Sequence, residues 1–151
     1  MSKFEETARE YAAANAAHDV ERVMKFYAKD AVVTDPYYPE PLRGDAIRKD
    51  LEDFFRAFPD LSFKFTDVFQ KNDRTGATEF QITGTHSGPL ATPMGDVPPT
   101  GKRFNIVGVA IVTTDGGGLI KEEKRFYDTG TVLRQLGLMP EPAEAGETAR
   151  R

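Results

Sequence analysis

Asp128 stands where a charged, strand-like stretch, KEEKRFY (121–127), gives way to an apolar, helix-like run holding Val132, Leu133, Leu136 and Leu138. A carboxylate at such a handover has two uses. It can cap the helix, since Asp is a favoured N-cap and Thr129-Gly130 follow it. Inside an apolar cavity, desolvation would instead raise its pKa and make it a proton carrier near neutral pH. The residue types alone allow both. His86 shares a strand face with Phe80, Ile82 and Gly84 by alternation. If that face is concave, an imidazole that titrates near physiological pH points into the cavity; otherwise it is a core histidine satisfied by a backbone partner. Asp35, just before Pro36, is either a second acid dividing acid and base roles with the first or a turn-initiating aspartate. Tyr37, Tyr38 and Tyr127 each offer a phenol to a developing enolate oxygen. Alternation sets Tyr127 opposite to Asp128, towards the helices or a partner.

Around these groups the sequence supplies rings. Phe54, Phe58, Phe80, Phe104, Phe126, Tyr37 and Met94 are the candidate substrate-binding wall, and Phe126 has the parity of Asp128. An aromatic stripe also serves simply as core. The charges of KEEKR (121–125) suit a solvated or interface face with cross-strand pairs. The DGGG at 115–118 reads as a hairpin, without the spacing of a phosphate loop. His18 lies near a polar helix end and is expected in solvent.

These side chains need elements to hold them. Phe4, Ala8, Tyr11 and Ala14 or Asn15 recur at helical spacing over 3–18, and Asp19 could cap a second helix with Val20, Val23, Met24 and Tyr27. AVVTDPYYPEP reads as a short strand ending at Asp35, because proline disfavours helix in the residue before it. A third helix over about 45–58 carries Ile47, Leu51, Phe54, Phe55 and Phe58 on its apolar side. From Leu61 the period changes to two, predicting strands near 61–71, 77–87, 102–114 and 119–127. PLATPMGDVPPTG holds four prolines in thirteen residues and predicts a loop. The tail from residue 139 to 151 has little to bury and is expected to be disordered, leaving one domain over 1–138. The order predicts an α+β fold: a curved antiparallel sheet wrapped on N-terminal helices, forming a cone-shaped barrel with an internal pocket.

The whole-chain quantities narrow the function. A length of 151 residues suits one domain with a real core. A net charge of −4 argues against a nucleic-acid surface. With no Cys there is no disulfide, thiol nucleophile or thiolate metal site, and two His leave a His-rich metal site without ligands, so no metal is expected. No apolar run reaches transmembrane length and the N-terminus lacks a signal-peptide core, so a cytoplasmic protein without membrane contact is expected.

TGTHSGPL (83–90), PPTGKRF (98–104) and YDTGTVLRQLGL (127–138), with FRAFPDLSF (55–63) before them, resemble in order and spacing the SnoaL-like polyketide cyclase family. That family belongs to the superfamily of nuclear transport factor two-like cones. The resemblance covers residues 4–138. It implies ring closure by intramolecular aldol condensation without metal or organic cofactor, with an acidic residue at the end of the last strand as general acid/base, a position that Asp128 matches. Many relatives carry a His in the strand leading to that acid, where this chain has Glu122, Glu123, Lys124 and Arg125. The expectation is a cofactor-independent ester cyclase or isomerase acting on a small, apolar carbonyl compound. Asp128 would take the proton, with His86 or a tyrosine on the enolate oxygen and Asp35 as second acid. Epoxide hydrolase-like hydrolysis and a non-catalytic binding cone are the alternatives. The apolar run Ile106–Val112 offers both of its faces for burial, and a homodimer through the convex sheet face is expected.

Overall fold

A computed structural model describes residues 2–140 of the chain. Helix α1 (Lys3–Ala16) starts at Ser2, whose side chain accepts from the Glu5 amide in a reciprocal capping box. Its buried side, Phe4, Ala8 and Ala14, follows the helical period. Helix α2 (Val20–Met24) is capped by Asp19, and strand β1 (Tyr27–Thr34) follows at once. Tyr27 therefore begins a strand instead of ending a helix. The two-residue strand β2 (Leu42–Arg43) leads into helix α3 (Asp45–Ala57). Strands β3 (Ser62–Gln70) and β4 (Thr75–Thr85), the short hairpin β5 (Leu90–Thr92) and β6 (Gly95–Val97), and the long strands β7 (Arg103–Thr114) and β8 (Ile120–Phe126) come next. Helix α4 (Thr129–Gln135) closes the fold.

Six strands form one sheet in the order β2-β1-β8-β7-β4-β3. The pairs β3–β4, β4–β7 and β7–β8 are antiparallel, as expected of a meander. Strand β1 differs: it lies parallel to β8. More than half of the chain separates the two in sequence, so no hairpin constrains their direction. The alternation of β7 defines the two faces. Phe104, Ile106, Ala110 and Val112 are buried under the helices, whereas Val107 and Ile111 are exposed on the outside. Gly108 makes room on the inner face, where a Cβ would stand 2.4 Å from the Phe80 ring. Phe58, Ile47, Val23, Val33 and Leu136 seal the core.

One irregularity decides the site. Thr114 faces Ile120, but Thr113 faces Glu122, so Lys121 is an extra residue in β8. Such a bulge turns every later side chain to the other face. Ile120 is buried, yet beyond the bulge Glu123 is buried while Lys124 and Phe126 are exposed. The segment PLATPMGDVPPTG also differs from the expected loop: its first half folds as the β5–β6 hairpin. Most of the expected tail, residues 141–151, lies outside the described residues.

Candidate active site

The inner sheet face, α1, α3 and α4 enclose a cavity of about 140 Å³. Its walls are mostly rings and aliphatic chains, among them Phe54, Phe58, Phe80, Phe104, Leu90 and Ile106. The polar lining gathers around Arg125, which β8 directs inward after the bulge. Arg125 Nη1 donates to Asp35 Oδ2 at 3.1 Å and to Asp50 Oδ2 at 2.9 Å, while Nε donates to Glu123. Its Nη2 has no hydrogen-bond partner among the described residues, and Arg125 is part of the cavity lining.

Three elements supply the acids. Asp35 follows β1, where its carboxylate accepts the Tyr37 amide at 2.9 Å and the Tyr127 hydroxyl at 2.6 Å. It shapes the turn before Pro36 and faces the cavity as well, so its two expected roles coexist. Asp50 comes from α3 and accepts the Tyr38 hydroxyl at 2.8 Å. Glu123, from β8, accepts the Tyr27 hydroxyl at 2.8 Å, and Tyr27 in turn meets Tyr11 at 2.9 Å. Asp35 and Glu123 are buried, and the Asp50 side chain is 15% exposed.

Burial acts differently on the members of this network. It pushes the Asp50 carboxyl above the usual aspartate range, with Arg125 and the Tyr38 hydroxyl pulling the other way. For Arg125 burial opposes the charge, but Glu123 and Asp50 outweigh it and hold the guanidinium protonated. Burial and the nearby Asp35 raise the Tyr37 phenol to about 12. The Tyr38 and Tyr127 phenols are also raised, by burial first and then by Asp50 and Asp35 respectively. All three therefore stay protonated donors near neutral pH.

The site residues expected from sequence fall into two groups. Asp35, Tyr37, Phe54, Phe58, Phe80 and Phe104 line the cavity together. Asp128, His86, Phe126 and Met94 do not. The family resemblance makes Asp128 a site residue and parity puts Phe126 with it, but the bulge at Lys121 sends both outward. Asp128 caps α4: it accepts the Gly130 amide at 2.9 Å and the Thr131 hydroxyl at 2.7 Å, and its side chain is 66% exposed. The Thr131 bond comes first among the causes that hold its carboxyl below the usual range. His86 has the expected inward parity, but the Phe58 ring, with centroids 5.7 Å apart, packs against it at the end of β4. Its Nδ1 accepts the Thr100 amide at 3.2 Å, and burial holds the imidazole below its usual pKa. Met94 is 98% exposed in the turn between β5 and β6.

Three charged cavity residues, Asp50, Glu123 and Arg125, are not among the site residues expected from sequence. Asp50 sits on the apolar stripe of α3 with Ile47, Leu51, Phe54 and Phe58, and a carboxylate at that spacing was a readable signal. Glu123 and Arg125 lie in the stretch expected as a solvated or interface face, and Tyr127, expected towards the helices or a partner, joins them in the lining; no local signal marks the bulge that turns all three inward. His18, expected in solvent, bonds the Leu61 carbonyl through Nε2 at 2.8 Å and stacks on Phe55. Among the described residues no cluster of three His, Asp or Glu side chains is placed to hold a metal ion. No helix among the described residues is long and apolar enough to cross a membrane.

A family model described as SnoaL-like polyketide cyclase matches residues 5–136. No curated protein matches the sequence. Among solved structures, AclR from Streptomyces galilaeus, a proposed hydroxylase, superposes with a TM-score of 0.80 at 23% identity, over 97% of this chain and 93% of that one. IdmH from Streptomyces antibioticus, a proposed polyketide cyclase, gives 0.70 at 28% identity over 89% and 99%. SalBIII, an epoxide hydrolase/cyclase-like enzyme of pyran ring formation in salinomycin, gives 0.70 at 18% identity over 85% and 93%.

Proposed function

Because this chain belongs to the SnoaL-like polyketide cyclase family, we propose that it is a cofactor-independent acid/base enzyme that cyclises or isomerises a small, apolar carbonyl compound. One observation carries this reading: two carboxyl groups from separate elements, Asp35 and Asp50, meet one guanidinium at the wall of an apolar cavity. Asp50 is the proton carrier. It is desolvated, accepts fewer bonds than Asp35, and its raised pKa makes it a stronger base than an ordinary aspartate towards a proton on carbon. Asp35 is the anchored partner, and with Glu123 it fixes Arg125 and Tyr127 in place.

The steps follow from these positions. The substrate carbonyl oxygen takes a hydrogen bond from Arg125 Nη2, which lowers the energy of the enolate that forms there. Asp50 removes the proton from the adjacent carbon, and the electron pair of that C–H bond moves into the enolate. In an aldol closure the enolate carbon then attacks a second carbonyl of the same molecule, and the new alkoxide takes the proton back from Asp50. In an isomerisation Asp50 returns the proton to a different carbon. The phenyl walls hold the substrate folded and exclude water, which raises the effective concentration of the reacting ends.

The test is deuterium exchange from heavy water into a cyclic ketone, with wild type and Asp50→Asn. Exchange by the wild type that Asp50→Asn loses supports the reading. Ketone binding without any exchange would point to a cone that only holds its ligand. Hydrolytic opening of an epoxide is a second reading, favoured by the Asp35–Arg125–Asp50 arrangement with Tyr127 beside it and by the likeness to SalBIII. Incorporation of heavy oxygen from water into an epoxide probe would select it over cyclisation. The expected homodimer is also proposed, through the outer sheet face where Val107, Ile111 and Phe126 are exposed. Light scattering giving a monomer at tens of micromolar would count against that assembly.

A further inference from the structure

The cavity restricts its ligand twice, by size and by charge. Its volume of about 140 Å³ is close to the roughly 150 Å³ of an engineered apolar cavity that takes up benzene. The walls that set this limit are interlocked rings. Phe58 and Phe104 have centroids 4.5 Å apart, Phe54 and Phe104 6.1 Å, and Tyr11 stacks on Phe65 at 6.0 Å. Phe58 and Phe104 are nearly inaccessible and belong to the core, so they do not swing aside independently.

At the polar end, Asp35, Asp50 and Glu123 bring three carboxyl groups to one guanidinium, and among the described residues Arg125 is the only Lys or Arg in the cavity lining. With every group ionised, three negative charges against one positive leave an excess of two. Asp53, a fourth acid in the lining, is paired with Lys49. A ligand carboxylate would add like charge beside the buried Asp35 and Glu123, where Coulomb repulsion is several times stronger than in bulk water. Arg125 has committed Nε and Nη1 to carboxylates, and the remaining Nη2 suits a neutral carbonyl oxygen.

We propose that this cavity takes an uncharged carbonyl compound of about one ring in size, and that it turns away carboxylates and fused-ring compounds. The inference deepens the reading above and rests on it only in placing the ligand in this cavity.

The experiment measures binding by ligand-observed NMR titration of the full chain. One matched pair, cyclohexanecarboxamide and cyclohexanecarboxylate, varies charge; a second, cyclohexanone and decalone, varies size. Near neutral pH the wild type should bind the carboxylate about 10-fold or more weaker than the amide, and decalone should bind weaker than cyclohexanone. Asp35→Asn, or Asp50→Asn should the first fail to fold, should narrow the charge gap. Phe54→Ala should narrow the size gap, with a melting curve to show that it folds. Equal binding within either pair by the wild type overturns the inference. So does a gap that the matching folded variant leaves unchanged, or no displaceable binding of any probe. Deuterium exchange run on the same samples separates the two readings. Cyclohexanone bound as expected without exchange would sink catalysis and leave the selection standing. Exchange accompanied by equal binding within a pair would do the reverse.

Discussion

Asp128 and Asp50 are the same side chain in opposite surroundings. Asp128 stands at the start of α4 in solvent, and its oxygens are taken up by the Gly130 amide and the Thr131 hydroxyl. Asp50 stands inside the apolar stripe of α3, where a guanidinium and a phenol replace water. The first environment favours the charged form and lowers the pKa; the second penalises it and raises the pKa. A proton carrier has to part with and regain its proton near working pH, and only the second environment moves a carboxyl in that direction. The type of residue and its place in a family motif do not distinguish the two. Burial does.

The sharpest way to break this comparison is to remove what compensates the buried acids. Arg125→Met leaves Asp35, Asp50 and Glu123 facing one another without a cation. Leaving buried charge uncompensated typically costs about 3–5 kcal/mol, so denaturant unfolding at neutral pH should show a loss of that order. The loss should shrink as acid protonates the three groups. A variant as stable as wild type at neutral pH would mean that the cluster carries no net charge to compensate.

Next in size is the activity change. Asp50→Asn should lower deuterium exchange by about 10²-fold, the usual loss on removing a general base. Its stability should change little, since Arg125 keeps Asp35 and Glu123. The same variant isolates a pH effect whose sign follows from the raised pKa. In the folded protein Asp50 holds a proton that the unfolded chain has released. Its contribution is therefore complete below the ordinary aspartate pKa and is lost as pH rises through the raised folded value. Unfolding curves over that window should fall less steeply for Asp50→Asn than for wild type.

The smallest effects belong to the cap. Asp128→Ala should lower the melting temperature slightly, as loss of an N-cap does, and leave exchange unchanged. Asp128→Asn should be nearly silent in both, because Asn caps about as well as Asp. With its pKa lowered, Asp128 contributes above the ordinary aspartate value and the contribution fades as pH falls, the reverse of Asp50. A large activity loss in Asp128→Asn with normal folding would return the chemistry to the end of β8.

The fold was largely legible because hydrophobic period survives in its long elements. α1, α3, β4 and β7 each carry enough turns or alternations to announce themselves. The β5–β6 hairpin was not legible: each strand spans three residues, among prolines, too short for alternation to register. For the site, legibility ended at Lys121. Counting by twos from Ile120 puts Phe126 and Asp128 inside and Glu123, Arg125 and Tyr127 outside. Only the pairing with Thr113 and Thr114 reveals the extra residue that reverses this. A bulge is a relation between two strands, and it leaves no mark in the periodicity of one. Asp50 was different: its place on the apolar side of α3 is written in the helical spacing that it shares with Ile47, Leu51 and Phe54.

The Tyr37 hydroxyl, bonded to the Ala91 carbonyl at 2.8 Å, joins the loop after β1 to the β5–β6 hairpin. Leu90 and Ala91 of that hairpin are part of the cavity wall, and two paired strands by themselves hold only marginally in water. A bond of this kind is worth about 1 kcal/mol net, which biases the closed over the open wall by about fivefold. Tyr37→Phe should therefore speed ligand release past the β5–β6 hairpin by about that factor in stopped-flow displacement. An unchanged release rate would place the exit on another wall.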